Sequence, residues 1–183
     1  MESMILQTNN KITKPVILVG MMGCGKTEIG KRLAQALAVR FIDTDTVIED
    51  EQGQSISDIF QIHGEGYFRA LETKTLSQLL EGEPAVISTG GGLVTTPENL
   101  EKIENQAVSV WLRSSVETIM ERIAGDDTRP LLRTSDPKKT LEDLLNARKE
   151  LYSKANIHIN NEESPEKVLS EIQRHLGEYY GTA

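Results

Sequence analysis

Pro15-Val16-Ile17-Leu18-Val19-Gly20-Met21-Met22-Gly23-Cys24-Gly25-Lys26-Thr27 is the stretch that decides the fold of this chain. Its first five residues form an apolar, β-branched run of strand length, and beyond Lys26 the residues Ile29, Leu33, Ala36 and Leu37 recur at helical spacing. Between strand and helix lies the pattern GxxxxGK(S/T), which belongs to loops that wrap a polyphosphate in backbone N–H groups. Such a loop turns where side chains would collide, so Gly20, Gly23 and Gly25 are required residue types. Lys26 supplies a point charge for the β and γ phosphates and Thr27 offers a hydroxyl to Mg2+. The helix that begins here aims its positive dipole end at the anion. The plain alternative is a glycine-rich turn that binds nothing, and the strand and helix on either side argue against it.

At 183 residues the chain has room for one α/β domain with a lid. No apolar run approaches the ~20 residues of a membrane-spanning helix. Residues 1–14 lack both the apolar stretch of a signal peptide and the Arg-rich, Ser-rich bias of a transit peptide, so a cytoplasmic location is expected. The net charge of −8 argues against nonspecific nucleic-acid binding, and anionic substrates then require local arginine clusters. Cys24, the one cysteine, excludes an internal disulfide and a cysteine-cluster metal site. It is either a reactive thiol at a helix start or, more simply, a small filler.

Further along, Arg40-Phe41-Ile42-Asp43, Ala85-Val86-Ile87-Ser88, Val108 to Leu112 and Ile157-His158-Ile159 read as strands. Helices are expected over much of Val47 to Glu81, with breaks near Gly53 and at Gly64-Glu65-Gly66 and a capped start at Ser55-Ile56-Ser57-Asp58. Others are expected from about Val116 to Ala124, from Leu141 to Tyr152 and from Pro165 to Leu176. Gly125 to Pro137 reads as a polar loop. Alternating strands and helices imply a parallel sheet with helices on both faces.

Asp43 and Asp45 follow a strand, where ligands collect in such sheets. If the backbone stays extended they face one side, one for the Mg2+ shell and one to take a proton from a hydroxyl. Gly90-Gly91-Gly92 is costly in backbone entropy and suggests close approach to a ligand, a flexible turn being the alternative. The strand before it carries no acid of the usual Walker B kind, which leaves magnesium to Thr27 and Asp43. Arg69 precedes Glu72 by three residues, a spacing that lets the carboxylate hold the guanidinium, although such pairs are commonly surface ion pairs. Arg129, flanked by Arg122 and Arg133, is placed to fold over a γ phosphate. Arg148 falls near the apolar face of its helix, where a charge calls for an anionic partner. His63 and His158 lack metal-ligand spacing, and Trp111 is expected in the core.

The phosphate loop, Phe41 to Asp45, Gly64 to Glu72, Thr89 to Gly92, Arg129-Pro130-Leu131-Leu132 and Ala147-Arg148 through Leu151-Tyr152 together resemble the shikimate kinase family, over about Val16 to Leu176. The resemblance implies a P-loop α/β/α sandwich with a five-stranded parallel sheet in the order 2-3-1-4-5, built as one kinase domain over residues 1–183. Within it, residues 20–27 would form the phosphate loop, about 44–72 the substrate segment and about 125–137 the lid. It further implies transfer of the γ-phosphoryl group of ATP to the 3-hydroxyl of shikimate, on the chorismate pathway to aromatic amino acids, with Mg2+. ATP would be held by Gly23, Cys24, Gly25, Lys26, Thr27, Glu28, Arg122, Arg129 and Pro165. Shikimate would be held by Asp45, Arg69, Gly90, Gly91, Gly92 and Arg148. Asp45, Lys26 and Arg129 would be catalytic, and Thr27 and Asp43 would serve the metal. The expected protein is a monomer that binds neither nucleic acid nor membrane. Ala70 and Lys149-Glu150 depart from the family pattern, at positions given no ligand.

Two other readings stand beside this one. A gluconate kinase would share the phosphate loop without calling for Arg69, Arg148 and three glycines together. A nucleotide-operated switch would use Asp50-Glu51-Gln52-Gly53 as its DxxG element, but no NKxD motif occurs in the chain.

Overall fold

In a computed structural model, residues 12–124, 132 and 134–181 are described. Five parallel strands lie in the order β2-β3-β1-β4-β5: β1 (Val16–Val19), β2 (Arg40–Asp43), β3 (Ala85–Ser88), β4 (Val108–Arg113) and β5 (Ile157–Asn160). The described residues hold seven α-helices: α1 (Lys26–Ala36), α2 (Thr44–Gln52), α3 (Ile56–Leu80), α4 (Pro97–Gln106), α5 (Val116–Arg122), α6 (Pro137–Tyr152) and α7 (Pro165–Tyr179). The parallel sheet is the one that the alternating strands and helices implied, and the strand order is the one that the resemblance implied.

The hydrophobic pattern agrees with this order. β1 and β3 are buried at every residue, as strands covered on both faces must be. Val16 of β1 pairs with Val86 on one side and Val108 on the other, which makes β1 central. β5, at an edge, alternates buried and exposed residues. The chain therefore leaves β1 at the point where successive connections run to opposite sides of the sheet, the location at which open α/β sheets bind ligands.

α1 packs very closely on the strands beneath it. A Cβ on Gly30 would stand 2.5 Å from Phe41 Cε2 and 3.1 Å from Leu18 Cδ1, so the helix seats itself through a missing side chain. A second, smaller core of Ile48, Ile59 and Phe68 ties α2 to α3. α3 consists of two helical runs joined at Gly64, whose φ of 82° and ψ of 173° are open essentially to glycine. The expected break is thus found, and the Ser55 hydroxyl caps the start of α3 by accepting from the Asp58 N–H.

Several boundaries differ from the sequence reading. α4 was not anticipated; it buries only Asn99 and Ile103, too few apolar positions to mark a helical stripe. β4 runs on to Arg113, with Trp111 buried against Tyr152 and His158 as a core residue. The Asp50–Gly53 tetrad is the end of α2, where Gly53 at φ 62° is the helix stop.

Candidate active site

The phosphate loop closes on itself between β1 and α1. Gly23 and Gly25 have φ values of 74° and 94°, and a Cβ on either would strike Ile123 Cγ2 at 2.5 Å or Asn161 Nδ2 at 2.8 Å. Both sterics and dihedral therefore require glycine. Lys26 is buried, and its Nζ donates to the carbonyls of Gly20 at 2.8 Å and Met21 at 2.9 Å. Cys24 is fully buried with its Sγ 3.8 Å from Lys26 Nζ, and it packs as a small apolar side chain. Its carbonyl accepts from Arg122 Nη1 at 3.1 Å and from Asn161 Nδ2.

A cavity of about 730 Å3 opens over this loop. Gly23, Gly25, Lys26 and Thr27 line its floor, with Glu28, Arg122 and Pro165 on one wall. Asp43, Asp45, Gly90 and Gly91 form the other wall. Arg122 is fixed there by a bond from Nη2 to the Asn161 carbonyl at 2.7 Å and from Nη1 to Ser114 Oγ at 3.2 Å. Glu28, in the first turn of α1, holds Arg32 at 3.1 Å.

The two aspartates are arranged differently from the extended pair that the spacing suggested. The chain turns into α2 at Thr44, and Asp43 caps that helix by accepting from the Asp45 N–H at 3.1 Å. Asp43 Oδ2 accepts from Thr27 Oγ1 at 3.1 Å. Asp45 reaches the same cavity from the first turn of the helix, so the pair converges through a cap and not through strand alternation. The β3 position beside Asp43 is Ser88, a hydroxyl where the usual motif has a carboxylate.

Arg69, Gly92 and Arg148 do not line that cavity; they stand along the Gly90–Gly92 turn beside it. A Cβ on Gly92 would lie 2.5 Å from both Nη1 and Nη2 of Arg69. Arg69 Nη1 donates to Glu72 Oε2 at 2.6 Å and Nη2 to Glu65 Oε1 at 2.9 Å. Burial works against the Arg69 charge, but Glu72 and Glu65 outweigh it and raise its pKa. For Glu72 the balance is opposite. Burial drives its pKa up, Arg69 pulls it down, and the carboxyl ends at about 7. Arg148 is buried, and its Nη1 has no hydrogen-bond partner among the described residues. A Cβ on Gly91 would meet that nitrogen at 3.5 Å, and the Tyr152 hydroxyl donates to the Gly91 carbonyl. Burial pushes Tyr152 up to about 12, so its hydroxyl keeps its proton for that bond.

The triple glycine is approached closely by protein groups, Glu72 and Asp45 at Gly90, Met22 N at Gly91 and Arg69 at Gly92, where its entropy cost suggested a ligand. Sequence reasoning missed Asn161 and the hydroxyls of Thr44 and Thr89, which accept from Gly90 N and donate to Leu18 O. An asparagine pair just past a short strand was the one local signal for Asn161. Arg129 and most of the expected lid lie outside the described residues.

A phosphate loop at the exit of β1, a cavity over it and a buried arginine beside the second wall define a P-loop kinase of small molecules. The shikimate kinase family model matches residues 22–177. A shikimate kinase of Ruegeria pomeroyi is 44% identical over 161 residues, covering 87% of this chain and 83% of that protein. Among solved structures, the shikimate kinase of Acinetobacter baumannii in complex with shikimate superposes with a TM-score of 0.86 at 34% identity, over 93% of this chain and 95% of that one. The chain belongs to the shikimate kinase family, and its activity is ATP-dependent phosphorylation of shikimate. A gluconokinase of Sinorhizobium meliloti shares the fold, with a TM-score of 0.59 and 15% identity over 95% of this chain and all of that one.

Proposed function

We propose that the enzyme moves the γ-phosphoryl group of ATP onto the 3-hydroxyl of shikimate, with Arg69 and Arg148 gripping the acceptor carboxylate and Asp45 taking the hydroxyl proton. The observation that carries this reading is Arg148. A buried guanidinium nitrogen without a partner is costly, and a carboxylate is the ligand that repays it. Arg69, presented against Gly92, supplies the second cation. Asp45 lines the same cavity as Lys26, so base and phosphate-binding charge share one space.

Thr27 Oγ1 and Asp43 Oδ2, two hard oxygen donors that line the cavity, would serve a magnesium ion, with Asp43 in its outer shell. Bound there, the ion would supply positive charge against the phosphates. Lys26 orients the chain of phosphates, and Arg122 with Pro165 borders the base of the nucleotide. Glu28, Cys24 and the loop glycines complete that side. Arg129, outside the described residues, is assigned to the transferred phosphate, and residues 125–137 to a lid that excludes competing water. We assign residues 1–183 to one kinase domain, acting as a cytoplasmic monomer. Among the described residues no helix is long and apolar enough to cross a membrane.

The test is a coupled ADP-release assay with shikimate, gluconate and nucleoside monophosphates as acceptors. Turnover with shikimate and not with the others is the expected result. Equal turnover with gluconate overturns the assigned acceptor grip.

A further inference from the structure

Glu72 is fully buried on α3, and only one of its oxygens is occupied. Oε2 accepts from Arg69, whereas Oε1 has no hydrogen-bond partner among the described residues. A Cβ on Gly90 would meet Glu72 Oε1 at 2.9 Å and Asp45 Oδ1 at 3.0 Å, so two carboxylate oxygens from two helices converge on one glycine. The charged groups that act on Glu72 are Arg69 on its own helix, Asp45 on α2 and Arg148 on α6, with Glu65 reaching it through Arg69. Two guanidinium cations therefore stand against three carboxylates. An incoming anion enters a set that is already net negative unless one carboxylate is neutralised.

Glu65 is exposed and screened, and Asp45 is assigned to the reacting hydroxyl. Glu72 is the deepest of the three, and an ionised oxygen held there without a donor is costly. We propose that Glu72 is a proton-coupled positioning residue: when the acceptor docks its carboxylate on Arg69, Glu72 Oε1 takes up one proton from solvent. The O–H bond forms at Oε1 and the proton comes from water or buffer. Arg69 is thereby released from neutralising Glu72 and pairs the acceptor, without leaving the Glu72 carboxylate ionised and buried away from its cation. This rests on the reading that Arg69 binds the acceptor carboxylate.

The pH window follows from the geometry together with the position of Glu72 near 7. An anion on Arg69 weakens the pull that lowers Glu72 and adds its own negative charge, so the bound-state value lies higher than the free one. Uptake is small where Glu72 is already protonated, below about pH 6, and largest just above neutrality. Shikimate KM then rises with pH through that window. The substrate carboxylate stays ionised throughout.

The experiment is titration calorimetry of shikimate binding to the whole protein near pH 6 and pH 7.5, in buffers of different ionisation enthalpy. The expected result is uptake of a large fraction of one proton near pH 7.5 and little near pH 6. Glu72→Gln should abolish the uptake and flatten the pH profile of shikimate KM. Infrared difference spectra on adding shikimate to the unmutated protein give a second readout, a new protonated-carboxyl band. Saturable binding with no buffer-dependent heat overturns the proposal, as does uptake that persists in Glu72→Gln. Absence of saturable binding overturns the acceptor grip itself, which separates the two failures.

Discussion

Arg148 is where the cost of burial and the chemistry of the site meet. Its guanidinium is buried beside Gly91 with Nη1 unpaired among the described residues, so the folded protein carries a charge suited to the proposed carboxylate ligand. Removing it should cost the complex about 2–5 kcal/mol, the usual loss when one member of a buried charge pair is truncated. Arg148→Ala is therefore expected to raise shikimate KM at least tenfold while ATP KM changes little, as steady-state kinetics with each substrate varied will report. Equal effects on both substrates would refute the assignment. Asp45→Asn separates binding from chemistry: kcat should fall by about 10²- to 10⁴-fold, the usual range for a lost general base. Arg148 was legible in the sequence because a charge on an apolar stripe demands an explanation. Asn161 and the Tyr152 contact were not, because they join segments 137 and 61 residues apart and no local pattern encodes such a meeting.

Among the elements, glycine marks the places where helices are aimed. Gly64 breaks α3, and the run after the break carries both Arg69 and Glu72 to the Gly90–Gly92 turn. A side chain at Gly64 meets open space, so the cost of Gly64→Ala is purely the backbone conformation, about 1–3 kcal/mol. Straightening the break re-aims Arg69, and the expected outcome is a higher shikimate KM with ATP KM unchanged. Gly30→Ala acts differently, because the new methyl meets the Phe41 ring and Leu18 at the seam of α1 with the sheet. Overpacking of this kind costs about 1–3 kcal/mol, read as a lowered midpoint in urea unfolding. The capped start of α3 and its break could be read from Ser55 and Gly64, since glycines and capping residues act locally, while Gly66 lies within the helix. α4 could not, because its two buried positions leave no periodic signal. Likewise the spacing of Asp43 and Asp45 suggested an extended pair, where the Asp43 cap instead starts a helix between them.

For the whole molecule, the site's electrostatics tax the stability of the fold. The Glu72 carboxyl is held near 7 in the folded protein, against about 4.5 when unfolded, chiefly by burial that the Arg69 pair only partly offsets. A group whose folded value lies above its unfolded one favours folding most when protonated in both states. Its contribution is full below about pH 4.5 and is lost as pH rises to 7 and beyond. The loss is on the order of 3 kcal/mol across that window, a sizeable share of the total for a domain of this size. Other carboxylates pull in the opposite direction, so the raw pH profile of the enzyme does not isolate the effect. The difference between unmutated protein and Glu72→Gln does, because every other group is common to both. The amide keeps an acceptor for Arg69 and cannot ionise, so the variant should gain relative stability steadily from pH 4.5 to 7.5 in denaturant titrations. Parallel curves over that range would mean that Glu72 titrates as an ordinary carboxylate, and that the phosphate-transfer site is built without this cost to the fold.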